Sequence, residues 1–548
     1  MTMKFVYISL ILFFVSSCVS QNLQLELSES NNDSLEQTDV NCDTSWGEQT
    51  VLGDTIEIPY TISNLLKALE SLPIETKSQI NPKDIYPTHY YVRFHPKNAN
   101  ELALLEEITP RLMLSETPLD REILVRGSSY HDPSLPVDMP TYQYTTIDAE
   151  YWKSLSDTLS VEGDVLLEAF MPDYIIEEQT KSYPTSIIGS TYEELLCKAY
   201  EMTGCTYIPR TKSSKWNPSG VIKAYDTKAN KYVPIKGVRV RGTHLLTIKE
   251  TLTDGTGYYC LDAFTSPVNM KVVWEGESWD VRDGNLSQAV YEGSKVENLQ
   301  WNLLINSTET KQLAFSALHR AAYRYYCDFI FNISRPDNSR REKLAYIDDE
   351  IKDGESNGDF NQQLGLGIWS DIRIPGMNVD GRRENAELFG STCHELGHLS
   401  HYTNAKQNFI NSERRVNESW ACFTQYLLTK REYSELGINY LIGKVSQNGV
   451  MGDTPDLFYN NQSSIDDIYT PLLIDLYDSF NQYLYFNNNA ASDDRISNIS
   501  PSVVEEIVFN SRSFTEIRDK LADYISKYSG PMYNLNQNNI NLLFKNYL

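Results

Sequence analysis

The chain carries the stretch S-T-C-H-E-L-G-H-L-S-H-Y at residues 391–402, in which His394, Glu395 and His398 form H-E-x-x-H. On a helix, residues four apart lie on one face, one turn apart, so His394 and His398 can reach one metal ion together. Glu395 stands beside that stripe, where its carboxylate can touch a water on the metal without being a ligand. Zinc in such a place lowers the pKa of its water toward about 7. Glu395 is then expected to take the proton as general base and to pass it to a leaving amine. Two histidines fill two positions of a tetrahedral zinc and water takes one, so one more protein ligand is required.

Four residues are candidates for that ligand. His401 lies three beyond His398, tied to the following turn and poorly placed for an ion held between His394 and His398. Asp456 lies in G-D-T-P-D-L-F-Y, and Glu413 at the start of the next helix. Glu418 opens E-S-W-A, with nineteen residues between it and His398. Val416, Trp420, Phe423 and Leu427 make the apolar stripe of a helix expected over about 412–430. Glu418 lies off that stripe beside Ala421 and Cys422, whose small side chains would let this helix pack close to the one carrying the histidines.

H-E-x-x-H followed by E-x-x-A at this spacing resembles the gluzincins, the thermolysin-like clan of zinc peptidases. The resemblance implies His394, His398 and Glu418 as zinc ligands, Glu395 as general base, and a peptide or protein substrate. It also implies a zincin-type catalytic domain, mainly α with a small sheet, over 306–548. The metzincin pattern does not fit, because His401 and Asn404 stand where Gly and His belong. Asp456 faintly resembles the aspzincin aspartate, and Asp453 departs from that pattern. Gluzincins also use a Tyr or His on the oxyanion; Tyr402, Tyr459 and Tyr469 are open choices. Two other readings stay open: a non-enzymatic surface binding protein whose H-E-x-x-H helix is structural, and a zinc hydrolase acting on something other than protein.

The elements that must position these residues follow from the pattern. Residues 308–331 read as a long helix, apolar on more than one face and therefore buried. K-L-A-Y-I-D-D-E-I and L-G-L-G-I-W-S-D-I-R-I-P-G read as strands, the second as an edge along which an extended substrate would pair. Later helices are expected near 465–485, 501–509 and 513–528, the last with a Ser513/Glu516 capping box. Residues 216–305 change texture to short β-rich runs separated by D-G and T-G turns. P-I-K-G-V-R-V…T-L-T-D-G-T-G-Y-Y there resembles the transthyretin-like, carboxypeptidase-regulatory β-sandwich. Residues 50–215 read as a small α/β domain without evident chemistry: a strand at 90–94, a helix following it, and a helix at 191–202 closed by Gly204. His89, His95 and His131 are scattered through it as structural or surface residues.

The fold class expected is therefore multidomain α+β, in keeping with 548 residues and room for roughly three to four domains. A net charge of −26 excludes nucleic acid as a partner of the body. Seven cysteines follow Cys18, an odd number that leaves a free thiol; Cys197 and Cys205 are spaced to pair, and the absence of C-x-x-C excludes a zinc ribbon. The N-terminus has one early Lys, an apolar run from Phe5 to Val15 and V-S-S-C. It reads as a signal peptide over 1–18 and resembles a bacterial lipobox with Cys18 as the lipidated residue. A polar, acidic tether over 19–49 follows. The expectation is an exported chain, anchored to a bacterial membrane through lipid at Cys18. Cys18→Ser should release the protein from the membrane fraction or leave the signal peptide uncut, as read by fractionation and intact mass. Unchanged membrane association with normal processing would count against the anchor.

Overall fold

The helix Thr310–Cys327 is buried on all sides from Gln312 to Ala322, and the largest hydrophobic core among the described residues is built around it. Alanines at 314, 317, 321 and 322 and the aromatic rings of Phe315 and Tyr326 let strands and helices pack onto it from different directions. The computed structural model describes residues 45–108, 112–171, 190–207, 215–336, 341–350, 359–360, 371–378, 381–438, 470–479, 493, 495–528 and 536–548. The lipobox and Cys18, most of the tether, Asp456, Tyr459 and Tyr469 lie outside these residues. So do all of L-G-L-G-I-W-S and much of the helix expected over 465–485. The described part is mixed α and β, with several separate sheets.

One face of the buried helix packs on a six-stranded sheet in the order Ser287–Gln288, Trp279–Asp283, Glu342–Glu350, Ile372–Asn378, Asp359–Phe360, with Gly381–Arg382 also paired to Ile372–Asn378. Its three central strands are parallel. The Phe315 and Tyr346 rings meet edge-on at 5.7 Å, and Trp279 stacks on Tyr326 at 5.6 Å. The pairing of Trp279–Asp283 with Glu342–Glu350 crosses residue 305, where the composition suggests a domain border. The intervening chain supplies the long crossover that parallel strands require.

The β-rich segment forms two further sheets. Thr247–Leu252, Arg239–His244, Val268–Val273 and Val290–Val296 make an antiparallel one. Ser219–Asp226 is the centre of the other, antiparallel to Tyr258–Cys260 and Lys231–Pro234 but parallel to Leu303–Ile305. Their inward residues, among them Ile222, Val240, Val272 and Leu303, belong to one hydrophobic core with Phe315, Leu344, Ile374 and Leu396. A second core joins Val416, Trp420, Phe423 and Leu427 to the C-terminal helices Pro501–Phe509 and Phe514–Tyr528. At the start of the second of these helices Ser513 Oγ accepts the Glu516 N–H, while the Glu516 carboxylate takes the N–H of Arg512 rather than that of Ser513.

Towards the N-terminus, His89–Phe94 lies between Gln143–Asp148 and Gly163–Ala169 in an antiparallel sheet. Helices Ala99–Ile108 and Ser190–Met202 fall where the pattern puts them, and Gly204 closes the second with a φ of +70°. Glu106 of Ala99–Ile108 pairs with Arg282 at 2.8 Å and Lys343 at 3.0 Å on the six-stranded sheet. Cys197 and Cys205 do not pair: both are free thiols, and Cys205 lies against the Glu57 carbonyl. No helix among the described residues is long and apolar enough to cross a membrane.

A buried ion network fixes the far end of the helix Arg414–Glu435. Arg320 of the buried helix bonds Asp226 at 2.8 Å and Glu432 at 2.6 Å, and Arg324 bonds Glu432 and Glu435. Tyr433 adds its hydroxyl to Asp226. Burial alone would raise the Glu432 carboxyl; the two guanidinium charges override it and hold it down to about 2, against 4.5 ordinarily. Removing one partner of such a pair strands a buried charge. Arg320→Met should therefore destabilise the fold by about 3–5 kcal/mol, read from denaturant midpoints. The folded-state pKa lies below the unfolded one, so this contribution is complete above about pH 4.5 and is lost as pH falls toward 2. The stability gap between wild type and variant should narrow across that window.

Candidate metal centre

The histidines ride on the helix Asn385–Asn411, which starts with a capping box between Glu384 and Glu387. Arg383, just ahead of it, ties this start to the sheet: its N–H donates to the Gly376 carbonyl at 3.0 Å and its Nη1 to the Pro375 carbonyl at 3.0 Å. Its Nη2 reaches Ser391 Oγ, one turn before Glu395. The helix breaks at Ala405, whose φ of −141° and ψ of 44° are not helical. It ends before Arg414–Glu435 returns alongside it.

The two helices touch where side chains are smallest. A Cβ on Gly397 would stand 3.0 Å from the Ala421 Cα and 3.1 Å from the Thr424 Cβ. Trp420 Nε1 donates to the Gly397 carbonyl at 3.1 Å, fixing the register between the helices. Val416, Trp420, Phe423 and Leu427 face the second core, as their spacing requires. Glu418 is left pointing at the histidines.

His394 Nε2 and His398 Nε2 each stand 3.2 Å from Glu418 Oε2. The rings are 4.9 Å apart and nearly perpendicular. Among the described residues this is the one set of three His, Cys, Asp or Glu donors that converges as metal ligands would, all three atoms lying within 4.8 Å of one another. Burial works to raise the Glu418 carboxyl, but hydrogen bonds from both imidazoles and their charges outweigh it and hold it far below the usual carboxylate range. Glu418 is thus an ionised oxygen donor facing two imidazole nitrogens.

The other candidates lie elsewhere. His401 is fully buried, stacked flat on Phe509 at 4.6 Å and edge-on to Phe409 at 5.2 Å. Burial, with a smaller effect of the His398 charge, pushes it down to about 3, so it is a neutral ring in the core. Glu413 is the residue before the helix and pairs with Arg415 at 2.7 Å. Asp456 is outside the described residues. Tyr402 sits in an aromatic cluster with Phe360 and Phe409. His89, His95 and His131 lie far along the chain, with partners such as Thr88, Asp164 and Pro136.

Glu395 is buried next to His394, and its charge is felt by Arg383 and by the Cys422 thiol. Two arginines near the site went unread in the sequence. Arg383 gives no local signal, because its contacts lie on a strand and on the helix it precedes. Arg414 could have been found by its place four residues before Glu418; its Nε lies 3.4 Å from Glu418 Oε1.

The chain matches no protein-family model, and no curated protein matches it.

The geometry makes a direct test available in metal content after dialysis. Glu418→Ala should lose the ion, because it removes the third donor. Gly397→Val should weaken binding at least tenfold while the helices stay formed by circular dichroism, because a branched side chain pushes Ala421 and with it Glu418 away. His401→Leu should keep about one ion per chain. Loss of metal in the His401 variant with retention in the Glu418 variant would overturn this ligand assignment.

Proposed function

We propose that the chain is a zinc-dependent endopeptidase of gluzincin type, exported and lipid-anchored through Cys18, with its catalytic machinery in residues 306–548. In the same proposal residues 216–305 are a transthyretin-like module and residues 50–215 an accessory domain. The observation that carries the reading is the convergence of His394 Nε2, His398 Nε2 and Glu418 Oε2, with Glu395 buried beside the first of them.

The donor set fits zinc. Two imidazoles and one carboxylate are a common catalytic zinc set that leaves a position open. Tetrahedral bonds of about 2.0–2.2 Å put neighbouring donors roughly 3.3–3.5 Å apart. The two 3.2 Å separations are close to that spacing. Bound zinc would supply a Lewis acid that polarises the scissile carbonyl and acidifies water.

The chain's own residues do the rest. His394 and His398 present their Nε2 atoms from successive turns of one helix, and Glu418 presents its carboxylate from a second helix held in register by Trp420. Glu395 acts as the base that removes a proton from the attacking water and returns it to the departing amine. Arg383 holds the start of the histidine helix against the strand Ile372–Asn378, so that the base and the strand keep a fixed relation.

Two measurements test this reading. Zinc should be found at about one per chain, and an unbiased peptide library should be cut by the wild-type protein. Glu395→Gln should keep the zinc and lose turnover by several orders of magnitude, because proton transfer is removed and metal binding is not. Near-normal turnover in that variant would rule out the mechanism. Bound zinc with no cleavage of any peptide would point to a binding protein or to a non-peptide substrate.

A further inference from the structure

Arg414 lies at the start of the helix that carries Glu418, one turn before it and on the same side. Its side chain is 69% exposed, whereas that of Glu418 is 11% exposed. The contact between them is a long one, Nε to Oε1 at 3.4 Å, on the carboxylate oxygen that faces away from the histidines. Among the described residues the guanidinium has no other ion pair, and neither of its Nη groups has a hydrogen-bond partner. Its neighbours are committed differently: Arg415 is taken by Glu413, by the Tyr547 carbonyl and by the Phe514 ring, and Arg383 is buried.

A cation with two uncommitted donors, open to solvent and leaning on a metal-ligand carboxylate, is more than Glu418 needs. Glu418 is already committed through Oε2 to the point it shares with the two histidines. The pairing with Arg414 adds little to stability, since the contact is long and its cation is largely solvated. What the free edge of a guanidinium fits is a second carboxylate, taken by two parallel N–H bonds. In a chain of net charge −26, an anionic substrate group needs such a local cation to be held.

Resting on the peptidase reading above, we infer that Arg414 is a specificity residue that binds a substrate carboxylate close to the scissile bond. Its reach sets the distance. A carboxylate on the Nη edge lies on the order of 8 Å from the point where the three donors meet, which is about two residues of extended chain. The carboxylate is thus that of an Asp or Glu side chain, or the free chain end, within about two residues of the bond cut.

The test uses binding rather than turnover. In the zinc-loaded Glu395→Gln protein, intact labelled hexapeptides are titrated in matched pairs by fluorescence anisotropy. One set differs by Glu against Gln at a single position, the other by a free against an amidated C-terminus. At least one pair should favour its charged member about tenfold or more, and the set in which this happens says whether a side chain or the chain end is read. In Glu395→Gln/Arg414→Leu that ratio should fall to near one, with Arg414→Lys in between because an ammonium cannot form the fork. Binding with no preference for any charged member, or a preference that survives Arg414→Leu, overturns the inference and leaves the peptidase reading standing. Failure of every peptide to bind the zinc-loaded protein overturns both.

Discussion

Two helices have to come close enough for three side chains to share one point, and the contact between Gly397 and Ala421 permits it. Any side chain larger than hydrogen at 397 would press on the Ala421 Cα and the Thr424 side chain of the facing helix. The Trp420 indole bond to the Gly397 carbonyl then sets how far one helix is slid along the other. Slide matters more than distance here. One turn of slip, about 5.4 Å, would carry Glu418 away from both imidazoles.

That contact is held from outside by two different kinds of force. Leu388, Phe389, Cys393, Leu396 and Leu399 root the histidine helix in the core shared with the sheets, while Val416, Trp420, Phe423 and Leu427 root the other helix in a second core. Apolar packing is not directional and cannot by itself prevent sliding. The Arg320 and Arg324 pairs with Glu432, four turns beyond Glu418, add direction and a fixed axial position. The His, His, Glu cluster therefore lies where two cores meet, with a polar fastening at one end of the seam and an indole bond near the middle.

Glu418 was reached through the likeness of E-S-W-A, at its spacing from the histidines, to the gluzincin motif, with an apolar stripe that avoids it in agreement. The shared face of His394 and His398 was legible in the sequence because four-residue spacing on a helix is local. The choice against His401 was legible for the same reason, since helical geometry ties it to another turn; that it is stacked on Phe509 was not. The pairing of Trp279–Asp283 with Glu342–Glu350 was hidden, because strands about sixty residues apart carry no mark of their partner. Arg320 and Arg324 were hidden differently. In a helix an arginine reads as a solvent-facing charge, and only the fold shows that Asp226 and Glu432 meet it in the interior. Cys197 and Cys205 misled through spacing alone, since closeness in sequence does not orient two thiols toward each other.

The strand Trp279–Asp283 has a consequence for how this chain can be divided. It comes from the β-rich stretch, yet its hydrogen bonds go to the sheet beneath the histidine helix. A fragment begun at residue 306 would bare the edge of Glu342–Glu350, a row of unmet amide and carbonyl groups of the sort that recruits other chains. A fragment ended at 305 would carry Trp279 and Val281 outward with nothing to cover them. Order along the chain and order in space disagree at this point. The two stretches therefore share one sheet, and a cut at the border that composition suggests would leave both halves with an exposed, sticky edge.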